Sequence, residues 1–188
     1  MKRVFIVHGW GGSPKEPMHK WLASQLRQKG YEVISPTMPN PERPEIESWV
    51  TQLKEAVGSP DKDTILVGHS VGCQTILRYL ETLNPSIIIG GVVLIAPWLT
   101  LKNLEDGEQD IAKPWLETDI NSAAVVKHTP RITTIFSDDD PVVPFENKEL
   151  FEQKFGVESI IEHSKGHFTE DDGVTELPSA LEAIEAIK

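Results

Sequence analysis

Cysteine is almost absent from this chain of 188 residues, which contains only Cys73. A single thiol cannot form an intrachain disulfide, and it cannot build a cysteine-based zinc site. The fold must therefore be stabilised by an ordinary hydrophobic core, for which 188 residues are sufficient. We expect residues 1–188 to form one domain.

Long hydrophobic runs are also missing. No apolar segment approaches the roughly 20 residues that a transmembrane helix requires. The first apolar stretch ends at Val7 and is not followed by the small-residue cleavage site of a secretory signal peptide. We therefore interpret this stretch as the first strand, and we predict a cytoplasmic protein.

Basic charge is scarce, since the chain carries a formal net charge of −11. The acidic excess lies in residues 101–188, which have 20 acidic and 8 basic side chains. Nucleic acids and anionic membranes bind to basic surfaces, so both are disfavoured as partners. The acidic half is interpreted most simply as a solubilising surface.

Short β-rich segments alternate with amphipathic helical segments along the chain. The predicted strands are Val4–Val7, Glu32–Ser35, Thr64–Val67, Gly91–Ile95, Ile132–Phe136 and Val157–Ile161. The predicted helices are Pro17–Gln28, Ile46–Val57, Val71–Leu83, Glu146–Lys154 and Pro178–Ile187. Continuous apolar strands alternating with helices indicate a parallel α/β sheet covered on both faces. Such sheets bind ligands at the carboxyl ends of their strands, where candidate site residues are sought.

The third strand is followed by a glycine–histidine–serine–valine–glycine motif, Gly68 to Gly72. A serine between two glycines at a strand–helix junction is typical of a nucleophile elbow, a turn so tight that larger flanking side chains would collide with neighbouring elements. Ser70 would be the nucleophile. The Val71 N–H, unpaired at a helix N-terminus, would stabilise an oxyanion. The simpler alternative is a helix-capping serine.

A serine hydroxyl needs a base, and the base needs an acceptor that orients it. His167, in a glycine-containing loop after the sixth strand, is the preferred base, and His163 is the second choice. Asp140 precedes a stiff Pro-Val-Val-Pro segment after the fifth strand and is preferred over Asp139 as the acceptor. We expect Asp138 and Asp139 to bind backbone N–H groups of the turn or of the following helix.

The first strand ends in a glycine-rich loop, His8 to Ser13. Glycines allow backbone N–H groups to turn toward an anion, and Trp10 N–H is the expected second oxyanion donor. A phosphate-binding loop is the alternative, but the segment lacks both the G-x-G-x-x-G spacing and the P-loop lysine. Trp10, His69 and Trp98 are assigned to the substrate pocket, and no residue is assigned to a cofactor or a metal.

Several segments of the chain resemble one known group of enzymes. The segments HGWGGSP, LVGHSVGC, SDDDPVVP and GHFTEDDGVTELP are similar to those of small serine hydrolases typified by bacterial YdeN and retinoblastoma-binding protein 9. The resemblance runs from Arg3 nearly to the C-terminus. It implies a minimal α/β-hydrolase with about six parallel strands in the order 2-1-3-4-5-6, helices on both faces, a Ser70–Asp140–His167 triad and no cofactor.

The segment 98–129 lies between the fourth and fifth strands. It is too short for a large lid domain, but it could form a short cap with a helix or two above Ser70. Trp115 and Leu116 belong to this segment, and simple cover over the core is the alternative interpretation of these side chains. Cys73, one helical turn after Ser70, is expected to be a small buried residue and not a second nucleophile.

The sequence as a whole predicts a serine hydrolase that cleaves a small carboxylic ester through an acyl-enzyme intermediate. Thioester, amide and peptide substrates are left open, because a triad does not distinguish them. The alternative is a catalytically silent protein of the same fold that acts as a protein-interaction module. The expected ligand of the enzyme is a small acyl compound.

Overall fold

The computed structural model describes residues 1–129 and 131–187. Within these ranges, strands and helices alternate along the chain. The strands are β1 (Arg3–Val7), β2 (Glu32–Ile34), β3 (Thr64–His69), β4 (Gly91–Ile95), β5 (Ile132–Ser137) and β6 (Ser159–Glu162). The helices are α1 (Pro17–Gln28), α2 (Ile46–Val57), α3 (Val71–Glu81), α4 (Glu108–Glu117), α5 (Ser122–His128), α6 (Asn147–Phe155) and α7 (Pro178–Ala186).

All six strands pair in parallel, in the order β2-β1-β3-β4-β5-β6. This confirms the predicted parallel α/β sheet and its strand order. Strands β3 and β4 lie at the centre and are buried along their whole length. Their continuous apolar sequences follow from this position, since both faces of each strand are covered.

Helices cover the sheet in two groups. Helix α1 contacts α7, and α7 packs on β4 and β5. On the other side, α3 contacts α2 and α5, and α5 contacts α6. Helix α1 begins with a proline at its first turn, where no intrahelical N–H is needed, and buries Met18, Leu22 and Leu26 along one stripe. None of the helices in the described ranges is both long and apolar enough to cross a membrane.

The bounds of the predicted elements are close to those observed, within two residues at each end. Helices α4 and α5, by contrast, had no predicted bounds. Helix α4 contains Pro114, which disfavours a helix in a sequence-based prediction, and its surface is mostly acidic. Helix α5 has only 7 residues, and its clearest signal is the Asn121 side chain, which caps it by accepting from Ala124 N–H.

A buried asparagine joins the loops that follow β4 and β5. The Asn147 side chain accepts from the N–H groups of Leu99 and Thr100 at 2.7 and 3.0 Å. Its amide group donates to the carbonyl oxygens of Thr100 and Pro144 at 3.0 and 2.9 Å. These bonds hold the segment after Trp98 against the start of α6, at the edge of the sheet where ligands are expected.

Replacing this asparagine should destabilise the protein. We expect Asn147→Ala to lower the free energy of unfolding by about 3 kcal/mol, because several buried backbone groups lose their hydrogen-bond partner. The matched control is Asn84→Ala, since Asn84 is exposed and bonds locally to Ser86. Urea unfolding of both variants measures the difference, and equal losses would contradict the bridging role of Asn147.

Candidate active site

Ser70 occupies a strained turn between β3 and α3. Its φ of 52° and ψ of −119° lie in a region that residues with a side chain rarely adopt. A Cβ atom at Gly72 would lie 2.5 Å from the carbonyl oxygen of Val7, and one at Gly68 would lie 2.7 Å from the N atom of Cys73. The collisions expected from the sequence are therefore present, and they involve backbone atoms that cannot swing aside.

Asp140 contacts the ring of His167. The Nδ1 atom of His167 lies 2.7 Å from Oδ2 of Asp140, and the aspartate is 4% exposed. The other carboxylate oxygen, Oδ1, accepts from the N–H groups of Val142 and Val143, both at 2.8 Å. A carboxylate held in this way favours the proton on Nδ1, which leaves Nε2 of the imidazole free to accept a proton.

The two neighbouring aspartates bind elsewhere. Asp138 accepts from Nδ1 of His163 at 2.6 Å and from the N–H of Ser164 at 3.0 Å. The hydrogen bond lowers the pKa of Asp138 and raises the pKa of His163. Asp139 accepts from the N–H of Gly166 at 2.9 Å. The expectation that Asp138 and Asp139 cap the turn or the following helix is thus wrong in part, because their partners include the loop after β6.

One cavity brings the candidate residues together. It has a volume of about 280 Å³ at the carboxyl ends of the strands. Every side chain proposed from the sequence for the nucleophile, the base and the pocket lines it: Trp10, His69, Ser70, Trp98 and His167. The wall also carries three carboxylates and several apolar side chains, among them Glu16, Glu42, Glu108, Leu101 and Leu104.

A comparison of the chain with known protein families agrees with this geometry. The family model described as serine hydrolase matches residues 4–186. The chain belongs to the serine hydrolase family.

Individual relatives support the same assignment. "Putative hydrolase YdeN" of Bacillus subtilis (strain 168) is 31% identical, and the alignment covers 97% of this chain and 94% of that protein. "Serine hydrolase RBBP9" of Rattus norvegicus is 23% identical, with coverage of 86% and 79%. The crystal structure of the B. subtilis ydeN gene product superposes with a TM-score of 0.91 at 28% identity, covering 100% of this chain and 98% of that one.

A more distant structure shares the fold. Est1E from Butyrivibrio proteoclasticus, solved with ferulic acid bound, has a TM-score of 0.74 at 15% identity and covers 100% of this chain and 89% of its own. The neighbours are α/β-hydrolases, and the resemblance found in the sequence is confirmed. The protein is thus a member of the serine hydrolase family with an α/β-hydrolase fold.

The β1 loop of this serine hydrolase passes beside the nucleophile. A Cβ atom at Gly9 would lie 3.4 Å from the Cβ of Ser70. The Trp10 indole donates to the carbonyl oxygen of Glu42 at 3.1 Å, which holds the loop in place. Among the hydrogen bonds described for residues 1–129 and 131–187, none uses the backbone N–H of Trp10 or Val71. Both groups are therefore available as donors to a ligand.

The loop that carries His167 is held by contacts that the sequence analysis missed. Asp172 accepts from the N–H groups of His167 and Thr169 at 2.9 and 3.1 Å. The Thr169 hydroxyl accepts in return from the N–H of Asp172 at 3.3 Å, as in a capping box. The Thr-x-x-Asp spacing in the sequence was the signal that could have revealed this turn.

His69 also holds the loop that carries His167. Its Nε2–H donates to the carbonyl oxygen of His167 at 2.8 Å, and the two ring centres lie 5.1 Å apart. Burial lowers the pKa of His69 to about 3, and the nearby charges of His167 and His19 act in the same direction. His69 is therefore neutral near pH 7, and it positions the loop while its ring lines the cavity.

Two side chains near the site have structural contacts. Cys73 is fully buried, its Sγ donates to the carbonyl oxygen of Ile95 at 3.2 Å, and burial raises the pKa of its thiol. Trp115 is buried in α4, donates to the carbonyl oxygen of Pro44 at 3.0 Å and packs edge-on against Trp49. Trp115 therefore covers the core, whereas the loop before α4 and Glu108 at the start of that helix provide the residues of this segment that line the cavity.

Adding one methyl group at the elbow should disturb the site. We expect Gly72→Ala to slow labelling of Ser70 by a fluorophosphonate about 100-fold, because β1 or α3 must shift to relieve the collision. Its free energy of unfolding should fall by about 1–3 kcal/mol. The control Gly58→Ala adds the same atom where no atom lies within 4 Å, at a φ of +65°. It should label at the wild-type rate, and equal rates for both variants would contradict the steric account.

Proposed function

We propose that this serine hydrolase is an esterase that cleaves a small, uncharged carboxylic ester through an acyl-enzyme intermediate. The observation that supports this most directly is the buried Asp140 carboxylate, whose Oδ2 lies 2.7 Å from Nδ1 of His167. The ring of His167 lines the same cavity as Ser70 at its strained turn. These observations support a nucleophile, a base and an acceptor at one cavity, the groups that acyl transfer requires.

In the proposed reaction, Ser70 Oγ attacks the ester carbonyl carbon while His167 Nε2 takes the hydroxyl proton. The oxyanion of the tetrahedral intermediate accepts hydrogen bonds from the N–H groups of Trp10 and Val71. His167 then donates the proton to the departing alcohol, which leaves an acyl group on Ser70. A water molecule, deprotonated by His167, hydrolyses that ester bond and regenerates the free serine. Asp140 stabilises the imidazolium formed in each half of the cycle.

The cavity favours a small substrate without negative charge. Its volume of about 280 Å³ lies just below the range that ligand pockets usually span. Glu16, Glu42 and Glu108 on its wall would repel a phosphate or a carboxylate. This argues against nucleotides and against thioesters with a phosphate-bearing carrier. The cytoplasmic location and the specificity for esters over amides stay predictions.

Labelling by a fluorophosphonate probe tests whether Ser70 is an activated nucleophile. We expect wild-type protein to be labelled covalently and stoichiometrically, because the probe forms a stable bond with an activated serine. Ser70→Ala should not be labelled, and Cys73→Ala, three residues along the same helix, should be labelled as wild type. A folded wild-type protein that resists labelling would favour the silent interaction module.

The acceptor assignment is tested by two neighbouring amide substitutions. Asp140→Asn should reduce kcat for a short-chain nitrophenyl ester by about 10⁴-fold, because the amide no longer stabilises the imidazolium. Asp139→Asn changes the same charge one residue away, at a side chain that bonds to Gly166 N–H. It should keep kcat within about tenfold of wild type. The reverse order of the two variants would mean that Asp140 is not the acceptor.

A further inference from the structure

A second cluster of polar side chains lies beside the nucleophile and outside the proposed triad. It consists of Glu16, His19 and His69, and one possible ligand atom from each lies within 4.8 Å of the other two. Over residues 1–129 and 131–187, it is the one group of three histidine, cysteine or acidic side chains with this spacing. His19 and His69 are 1% and 4% exposed. Glu16 and His69 also line the cavity.

Two ring nitrogens in this cluster are buried without a hydrogen-bond partner among the described residues. They are Nε2 of His19 and Nδ1 of His69. A buried polar atom left without a partner destabilises a fold by about 1–3 kcal/mol, and such atoms are rare. Two of them in one small cluster make it a candidate ligand site.

The hydrogen bonds of the two rings indicate which kind of ligand the free nitrogens can bind. Nε2–H of His69 donates to the carbonyl oxygen of His167, so Nδ1 presents a lone pair. Nδ1 of His19 lies 3.1 Å from a carboxylate oxygen of Glu16 and 3.4 Å from the carbonyl oxygen of Ser13. Both neighbours are acceptors, so Nδ1 carries the proton, and the neutral form of His19 presents a lone pair at Nε2. Two lone pairs next to a carboxylate are suited to a cation.

We propose that Glu16, His19 and His69 bind a transition-metal dication, through His19 Nε2, His69 Nδ1 and a Glu16 carboxylate oxygen. Two imidazoles, one carboxylate and a position open to water form a ligand set that Zn²⁺ accepts. Calcium and magnesium prefer oxygen ligands, so both are disfavoured. The other N–H of His69 donates to the carbonyl oxygen of His167, and that of His19 lies 3.4 Å from the carbonyl oxygen of Ser13. Such outer contacts orient metal-binding histidines, and Glu16 gives up its contact with His19 Nδ1 when it binds the ion.

The ligand atoms need at most a small contraction when the ion binds. Two ligand atoms each about 2.1 Å from a tetrahedral zinc ion lie about 3.4 Å apart, closer than the 4.8 Å limit of the cluster. Glu16 lies just before α1, so modest side-chain movement can bring the ligands together. The bound ion would place positive charge near His167, whose ring centre lies 5.1 Å from that of His69. If the proposed function holds, zinc should therefore slow ester hydrolysis.

Zinc titration of the metal-free protein tests the proposal. Protein stripped with a chelator and then freed of it is titrated with ZnCl₂ in a calorimeter. We expect wild type to bind one equivalent, and His19→Gln to bind at least about tenfold more weakly. His163→Gln is the matched control, because His163 is exposed and paired with Asp138. It should bind zinc as wild type does.

A second variant and a second metal distinguish loss of the metal site from loss of the fold. Glu16→Gln should also weaken zinc binding, and circular dichroism shows whether each variant is folded. Co²⁺ bound to wild type should give visible absorption bands that Zn²⁺ displaces and that folded His19→Gln lacks. The proposal is overturned if wild type binds no stoichiometric zinc, or if both folded ligand variants bind it unchanged. Ser70→Ala should retain zinc binding, so the metal site can be present even if the esterase proposal fails.

Discussion

The close approach of β1 to the start of α3 is the constraint on which the site depends. The carbonyl oxygen of Val7 lies where a side chain on Gly72 would have to be, and α3 begins one residue after the strained Ser70. Because both elements are parts of the same parallel sheet and its covering layer, neither can move away without disturbing the core. The position of Ser70 at the carboxyl ends of the strands is therefore fixed mainly by the packing of the residues next to it.

Several charged side chains also lie at the carboxyl ends of the strands, and each one has a nearby partner. Three consecutive aspartates follow β5, and each one has a different set of partners: His163, the N–H of Gly166, and His167. Separate partners reduce the repulsion among adjacent carboxylates, because each negative charge is matched by a donor. The three aspartates thereby connect the loop after β5 to the loop after β6.

Three histidines near these aspartates have different roles. His167 faces a carboxylate and the cavity, whereas His69 is buried, neutral and bonded to the backbone of His167. His19 lies behind His69, with ring centres 5.7 Å apart. Burial separates their roles, since burial favours the neutral imidazole, which can serve as a ligand or a spacer.

The sequence by itself determined the order of strands and helices, because apolar periodicity and the Gly-His-Ser-Val-Gly motif depend on neighbours along the chain. It also favoured Asp140 over Asp139 as the acceptor, from the stiff proline segment that follows, and His167 over His163 as the base, from its glycine-containing loop. It did not locate α4, which contains a proline, or α5, which has only 7 residues. Only the tertiary structure decided that His69 supports the His167 loop and meets Glu16 and His19. Contacts between residues 50 or more positions apart arise from how the loops pack, and no local pattern encodes them.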